Sequence, residues 1–375
     1  MTGTADPTLF IQPTACRQFV LLTHSTWSEP PRLRHQIARL LLSHGHKVTF
    51  FERAGFGLPA KSVSKAEDGL TLVGSKKLIH AQLRVLPLLH ELNRVFVSRQ
   101  LRSYRRSGLL GEAPCIINFN FDYYFLRDVF SDLPIVTIIN DDFEAQARLP
   151  FNTHLTWALE RTCQASNRVL ALSESLRRRL APLCPDTRLF LPWAVTPYVA
   201  PIAPVTCRNT LLFWGTIDSA IDLNVLQRTA HELARARPGS RILLVGPLAT
   251  RFKAALKRVM AVTGNIELQG PTPLEALPFE QVIAAIIPYG RHPAQNAITL
   301  ANKSFQLISR GIPLLISGMP DFLTLPFVLR LDDGATMQEI LLKIDDNFAS
   351  WQGAMAEFIA ANPPESRLGP LCEGI

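Results

Sequence analysis

The sequence predicts an α/β protein made of two Rossmann-like, doubly wound parallel-sheet domains that face each other across a central cleft. Three observations carry this expectation. The chain has 375 residues, more than a single hydrophobic core normally organises. Short, nearly continuous apolar runs alternate with helix-period segments, as expected for strands buried on both faces. The pattern also stops once, at a proline-rich stretch, and then begins again.

Taken in order, "RQFVLLTHSTW" opens with an apolar strand over residues 19–22. Leu33, Ile37, Leu40 and Leu41 then recur at helical spacing, Gly45 suits a C-terminal cap, and residues 47–51 are strand-like, which gives a βαβ opening. "CIINFN", "IVTIIN", "RVLALS" and "RLFLPW" read as further buried strands, with a helix over residues 155–163 among them. "AVTPYVAPIAPVTCR", with prolines at 197, 201 and 204, interrupts any regular element. The boundaries that follow are a first domain at 1–198, a linker at 199–208 and a second domain at 209–345. A helical tail at 346–375 has the option of crossing back to the first domain. The second domain repeats the alternation: "NTLLFWG" strand, "LNVLQRTAHELARAR" helix, then strands in "RILLVGP", "NIELQG", "VIAAIIPY" and "IPLLIS".

Composition narrows the setting. Hydrophobic residues at 47% and charged ones at 19% describe a well-packed chain of soluble type. The six cysteines form no CxxC pair and have no histidine at metal-ligand spacing, so neither zinc nor a disulfide framework is expected. The N-terminus lacks a basic region followed by an apolar one, and no run of 18 apolar residues occurs, so a cytoplasmic location is expected. The net charge of +8 leaves nucleic acid or an anionic membrane as natural partners. Much of it falls at Lys76, Lys77, Arg84, Arg94, Arg99, Arg102, Arg105 and Arg106, against the single acid Glu91 in that stretch. Wound as a helix after Pro87, the segment puts Leu89, Leu92, Phe96, Val97, Leu101 and Tyr104 on one side and arginines on the other. That suits either a peripheral helix on anionic lipid or the solvated face of an ordinary packed helix. No nucleic-acid motif accompanies it, so a nucleic-acid partner is not expected.

Function has to come from particular residues. In "LANKSFQLISRGIPLLISGMP", Lys303 and Gln306 stand three apart on a mostly apolar helix, a pair that suits phosphate and ribose better than a core. Lys303 and the helix N-terminus offer positive charge to a departing diphosphate. Upstream come "WGTID", "VGP", "LQGPTPLEALP" and "IIPYGRHP". In this order the features resemble those of the GT-B glycosyltransferases: a small-residue loop, an "LxG" strand before a base-binding loop, a "PY" strand end and a lysine-bearing helix closed by "GxP". The Lys303 to Gln306 spacing is most similar to the inverting glucuronosyltransferase of xanthan synthesis.

The resemblance implies a GT-B fold and a nucleotide diphosphate sugar as donor, a UDP-sugar above all. It also implies a saccharide or lipid-linked acceptor, inversion at the anomeric carbon, and no metal or other cofactor. On this sequence the nucleotide-sugar site would comprise Gly215, Thr216, Gly246, Thr272, Tyr289, Lys303 and Gln306. Thr216 offers hydroxyl and amide donors to phosphate, Thr272 matches a backbone position that meets the base, and Tyr289 either lines the site or packs. Pro271 stands where the similar enzyme has an acid. Arg291, with His292, can neutralise a sugar carboxylate or lie in a solvated loop. Retaining relatives carry two glutamates eight apart, and Ile298 and Gln306 occupy those positions here.

Inversion needs one carboxylate to take the acceptor proton. The strand at residues 134–139 ends in Asn140-Asp141-Asp142, and the resemblance places the base at Asp141, with Asp142 as the alternative; both also suit helix capping or an Asx turn. His24, after the first strand, is expected to line the acceptor cleft or to cap. The first strand-to-helix turn, "THSTWSEPP", lacks GxGxxG, which removes the NAD reading, and GxSxG is absent too. Two other readings stay open, a nucleotide-sugar epimerase of the same architecture and a non-catalytic protein that keeps the fold.

Overall fold

The computed structural model describes residues 17–29, 31–57, 62–79, 81–141, 153–200, 207–290 and 300–374. Its first half contains β1 (Gln18–Leu22), β2 (Lys47–Phe51), β3 (Gly55–Phe56), β4 (Ser62–Glu67), β5 (Leu70–Gly74), β6 (Lys76–Lys77), β7 (Cys115–Asn118), β8 (Ile135–Ile139), β9 (Arg168–Ala171) and β10 (Thr187–Leu189). The helices there are α1 (Leu33–Ser43), α2 (Pro87–Arg106), α3 (Leu126–Val129), α4 (Thr153–Gln164) and α5 (Glu174–Leu180). Eight of the strands form a sheet in the order β10-β9-β8-β7-β1-β2-β5-β4, and β3 pairs with β6 beside it. Within the large sheet only the β4–β5 pair is antiparallel.

The second half contains β11 (Thr210–Trp214), β12 (Arg241–Val245), β13 (Ile266–Gln269), β14 (Val282–Pro288), β15 (Leu314–Ser317) and β16 (Val328–Arg330), with α6 (Leu223–Ala236), α7 (Lys253–Thr263), α8 (Lys303–Ile308), α9 (Met337–Ala361) and α10 (Leu368–Cys372). Its six strands are all parallel, in the order β13-β12-β11-β14-β15-β16. Both sheets are α/β and doubly wound, and in both the strand order reverses beside the first strand. The crevices therefore open at the ends of β1 and β7 in one half and of β11 and β14 in the other, where open parallel sheets bind ligands.

Side-chain alternation explains why β1 reads as an unbroken apolar run. Phe19 and Leu21 face Leu33, Ile37 and Leu41 of α1, while Val20 and Leu22 face Val97, Leu101 and Tyr104 of α2. That second contact corrects one expectation. Much of the apolar side of α2 offered to lipid is core: Val97, Leu101 and Tyr104 are buried, and the Tyr104 hydroxyl donates to the Gly74 carbonyl at 3.0 Å. On the other side Arg94 pairs with Glu91, and Arg105 with Asp132 at 2.5 Å. Only the start of the helix projects apolar groups, with Leu88 73% and Leu92 51% exposed.

The two halves are tied together at several points. α9 begins with a reciprocal capping box between Thr336 and Glu339 and packs on α6. α10 then sits on the first half, with Leu371 fully buried in its core. Arg168 Nη1 donates to the Pro370 carbonyl and Arg17 Nη1 to that of Cys372, both at 2.8 Å. Across the cleft, Asn302 Nδ2 donates to Gln36 Oε1 at 3.3 Å, and Ser175 donates to Asp321.

Candidate active site

On the wall formed by the second sheet, β11 runs into Gly215, whose φ of 142° is open to glycine. A Cβ there would stand 2.8 Å from Lys303 Nζ, so the missing side chain is the room the ammonium occupies. Lys303 opens α8 and reaches back to the end of β11. Its Nζ lies 3.9 Å from the Phe213 ring centroid and 5.0 Å from that of Tyr289. It forms no hydrogen bond or ion pair with a described residue. Burial pushes the ammonium down to about 7, and the charge of Asp218 offsets only part of that. A desolvated cation with aromatic faces around it and no counter-charge in contact among the described residues is suited to an anionic ligand.

The neighbouring loops make this geometry possible. Gly246, at φ 147°, follows β12, and a Cβ on it would meet the Gly215 carbonyl oxygen at 2.0 Å. Gly246 thus acts by letting the two loops touch, and the ladder continues beyond the strands through an Ile217–Leu248 bridge. Thr216 is exposed at the lip. Thr272 stands beside the end of β11: its carbonyl accepts from Trp214 Nε1 at 2.9 Å and its hydroxyl donates to the Gly270 carbonyl at 3.0 Å, while its N–H bonds to no described residue. Tyr289, just past β14, has its carbonyl bonded by Ser317 Oγ at 2.9 Å and borders an open cavity of about 470 Å³. Arg228, Asp332 and Thr336 share that cavity. Burial raises the Tyr289 phenol above its ordinary range, so it stays neutral.

Gln306 is not placed as the sequence suggests. It is buried, its Oε1 accepts from Val195 N at 2.9 Å, and its Nε2 donates to the Trp193 carbonyl at 2.8 Å. Both ends of the amide are thus committed to the segment joining the two halves, and the side chain is a fastener of that connection instead of a ribose contact. α8 is also only six residues long. Whatever α8 offers a diphosphate comes chiefly from Lys303, because a macrodipole needs length.

The facing wall belongs to the first sheet. Asp141 follows β8 and accepts from Asn140 Nδ2 at 2.5 Å. Its charge is felt by Arg34 on its own side and by Tyr289 across the cleft, so it stands between the two walls. His24, just after β1, is only partly exposed, and burial followed by Arg34, Arg84, Arg32 and Arg53 holds it well below its ordinary value. It is neutral at physiological pH. Arg53 and Arg84 are engaged, with Glu29 and with Asp122 at 2.6 Å. Asp142, Arg291 and His292 lie outside the described residues.

Several buried polar atoms on these walls have no partner among the described residues: Ser25 Oγ, Asn140 Oδ1 and Arg34 Nε and Nη1 on one side, Asn302 Oδ1 and Ser304 Oγ on the other. Buried polar atoms are normally paired, so those on these walls are candidate ligand contacts. Among the described residues no group of His, Cys, Asp or Glu gathers as a metal site. Sequence reasoning missed Arg34, Gln36, Asp218 and Gly318. Asp218 had a signal, as the acid of "WGTID" after a glycine loop. Gly318, at φ 67° with a Cβ clash of 2.3 Å against the Gly290 oxygen, had one in "SGMP" after a strand.

No protein-family model and no curated protein sequence matches the chain. Solved structures do. An Escherichia coli trehalose-6-phosphate protein bound with UDP-2-fluoro glucose superposes with a TM-score of 0.68 at 12% identity, covering 95% of this chain and 99% of that one. A UDP-forming α,α-trehalose-phosphate synthase from Burkholderia xenovorans gives 0.67 at 11%, with 95% and 99% covered. WaaG, a glycosyltransferase involved in lipopolysaccharide biosynthesis, gives 0.60 at 13% with the same coverage. At these identities the likeness establishes architecture, and the architecture of this chain is the GT-B fold.

Proposed function

We propose that the protein is a glycosyltransferase that moves a sugar from a nucleotide diphosphate sugar, with UDP-sugars favoured, to a saccharide or lipid-linked acceptor with inversion. The observation that carries this reading is Lys303, a desolvated cation that lies against Gly215 and Tyr289 with no ion pair among the described residues, while Asp141 acts on Tyr289 from the facing wall. Support also comes from the structural neighbours, which include one bound with a UDP-sugar analogue and one described as a glycosyltransferase.

In this reading the acceptor hydroxyl attacks the anomeric carbon as Asp141 takes its proton, forming one C–O bond while the bond to the diphosphate breaks. The departing electron pair stays on the diphosphate, and Lys303 meets the charge that grows there. No acid is required, because the leaving group is already a good one, and no metal is invoked. Gly215 and Thr216 admit the phosphates, and the Thr272 N–H and Tyr289 face the nucleotide or sugar. Within the fold we favour the glucuronosyltransferase type of xanthan synthesis on the order of strand ends leading to Lys303, without the ligand contact expected of Gln306. An anionic membrane is the matching surface for a lipid-linked acceptor. In this reading the lipid contact falls at the projecting start of α2, a choice supported by the exposure of Leu88 and Leu92 there and by the 40% exposed Trp157. Such a protein would work at the cytoplasmic face.

The decisive experiment is acceptor-dependent release of UDP from UDP-sugars, with the products analysed. Asp141→Asn should cut turnover by about 10²–10⁴-fold and leave UDP affinity unchanged. Turnover near that of the unaltered protein would remove Asp141 as base, and a product still attached to nucleotide would indicate an epimerase.

A further inference from the structure

Arg34 is a buried cation on the wall that carries Asp141, and neither the proposed transfer chemistry nor the donor uses it. It is 5% exposed, the second residue of α1, with its guanidinium 5.7 Å from the centroid of the Phe119 ring at the end of β7. Nε and Nη1 are both buried without a partner among the described residues. Asp141 and Glu29 favour its charge from a distance, but among the described residues no acid pairs with it. Glu29 is taken by Arg53 and lies 3.9 Å from Arg32, Asp122 is taken by Arg84, and His24 is neutral. Asp141 is near enough to influence Arg34, but no ion pair forms between them among the described residues. Burial and Arg32 depress the guanidinium to about 10, which leaves it fully charged at neutral pH.

A buried guanidinium with two idle donors in a fixed fork fits an oxyanion, a phosphate or a carboxylate, better than any neutral group. Position says which substrate carries it. The diphosphate of the donor already has Lys303 and the Gly215 loop on the opposite wall. Arg34 shares its wall with Asp141, and the hydroxyl that loses its proton to Asp141 belongs to the acceptor. We propose that the acceptor is anionic and that Arg34 binds its oxyanion in the crevice beyond β1 and β7. This rests on the glycosyltransferase reading for the word acceptor, though the anion site itself does not.

The test uses the full chain saturated with UDP and follows thermal stability, since a ligand of the native state raises the melting temperature. The probes are inorganic phosphate, glucose 6-phosphate, glucuronate, a short prenyl phosphate in micelles, and neutral glucose, all at matched ionic strength. An oxyanion probe should raise the melting temperature of the unaltered protein and fail to do so in Arg34→Gln, with Arg34→Lys in between. UDP affinity should stay within about twofold. The soluble and micellar arms tell a free sugar phosphate from a lipid-linked one. The proposal is overturned if no oxyanion stabilises the protein, if neutral glucose alone does so, or if Arg34→Gln keeps the full response. It is also overturned if Arg34→Gln loses UDP binding as Lys303→Gln does, since the guanidinium would then serve the donor. Failure of the unaltered protein to bind UDP would instead sink the donor reading. Circular dichroism on each variant separates loss of the site from loss of the fold.

Discussion

Donor affinity should fall as pH rises through neutrality, and Lys303 sets both the midpoint and the slope. The ammonium has a value of about 7 in the free protein. A diphosphate in contact would raise it, because an opposite charge within a few ångströms favours the charged form. Binding therefore selects the protonated lysine, so affinity is complete below pH 7 and is lost above it, until the raised value of the complex is reached. For a midpoint at 7, the protonated fraction falls from roughly nine-tenths at pH 6 to one-tenth at pH 8, which weakens binding about tenfold, or about 1.4 kcal/mol. UDP-glucose is the probe of choice, since neither of its phosphates titrates in this range and the slope then belongs to the protein. Isothermal titration calorimetry in buffers of differing ionisation enthalpy should show uptake of about half a proton per binding event at pH 7 and nearly one at pH 8. Tyr289, raised above its ordinary value, and His24, held well below it, remain neutral throughout and add nothing. Affinity that stays flat to pH 8.5 without proton uptake would refute the account, as would an identical slope in Lys303→Gln.

Gln306→Leu separates the two roles considered for that residue. Removing the amide leaves the Trp193 carbonyl and the Val195 N–H unpaired, so urea denaturation should show a loss of about 1–3 kcal/mol, with UDP affinity retained; a ribose contact would give the opposite result. Co-sedimentation at low salt should recover more protein with anionic than with neutral vesicles, and Leu88→Asp with Leu92→Asp should erase the difference. Equal recovery of the unaltered protein with both lipids would end the membrane proposal.

The fold was legible where strands are buried on both faces. The runs that become β1, β2, β7, β8, β9, β11, β12, β14 and β15 are continuous apolar stretches, and nothing in a compact protein competes for them. The β4–β5 hairpin was not legible, because every residue of β4 is exposed and "SVSKAE" carries no apolar alternation. The apolar face of α2 was visible, but its partner was not, since a helix facing lipid and a helix facing a sheet show the same periodicity. At the site, Lys303, Gly215 and Tyr289 could be named in advance because each follows a strand end or opens a helix beside one. Arg34 could not, since an arginine in "RLRHQ" looks like the solvated side of α1 until Phe119 and β7 are placed over it.

The division of labour along α8 shows why spacing alone misassigned Gln306. Residues three apart share a helix face, which suggests a common ligand. In six residues, however, the helix has an end as well as a face. Lys303 stands at the first position and its long side chain extends past the start to Gly215, whereas Gln306 lies within the body and meets the chain segment packed beside it. The same segment is bound again one turn on, where the Val199 N–H donates to the Ser309 carbonyl at 2.7 Å. One short helix thus holds a buried cation at its start and the connection between the two halves along its flank. The polar pair on an apolar helix is explained by two neighbours instead of one ligand, and the bonds that Gln306 makes tie the helix carrying Lys303 to the segment between the two halves.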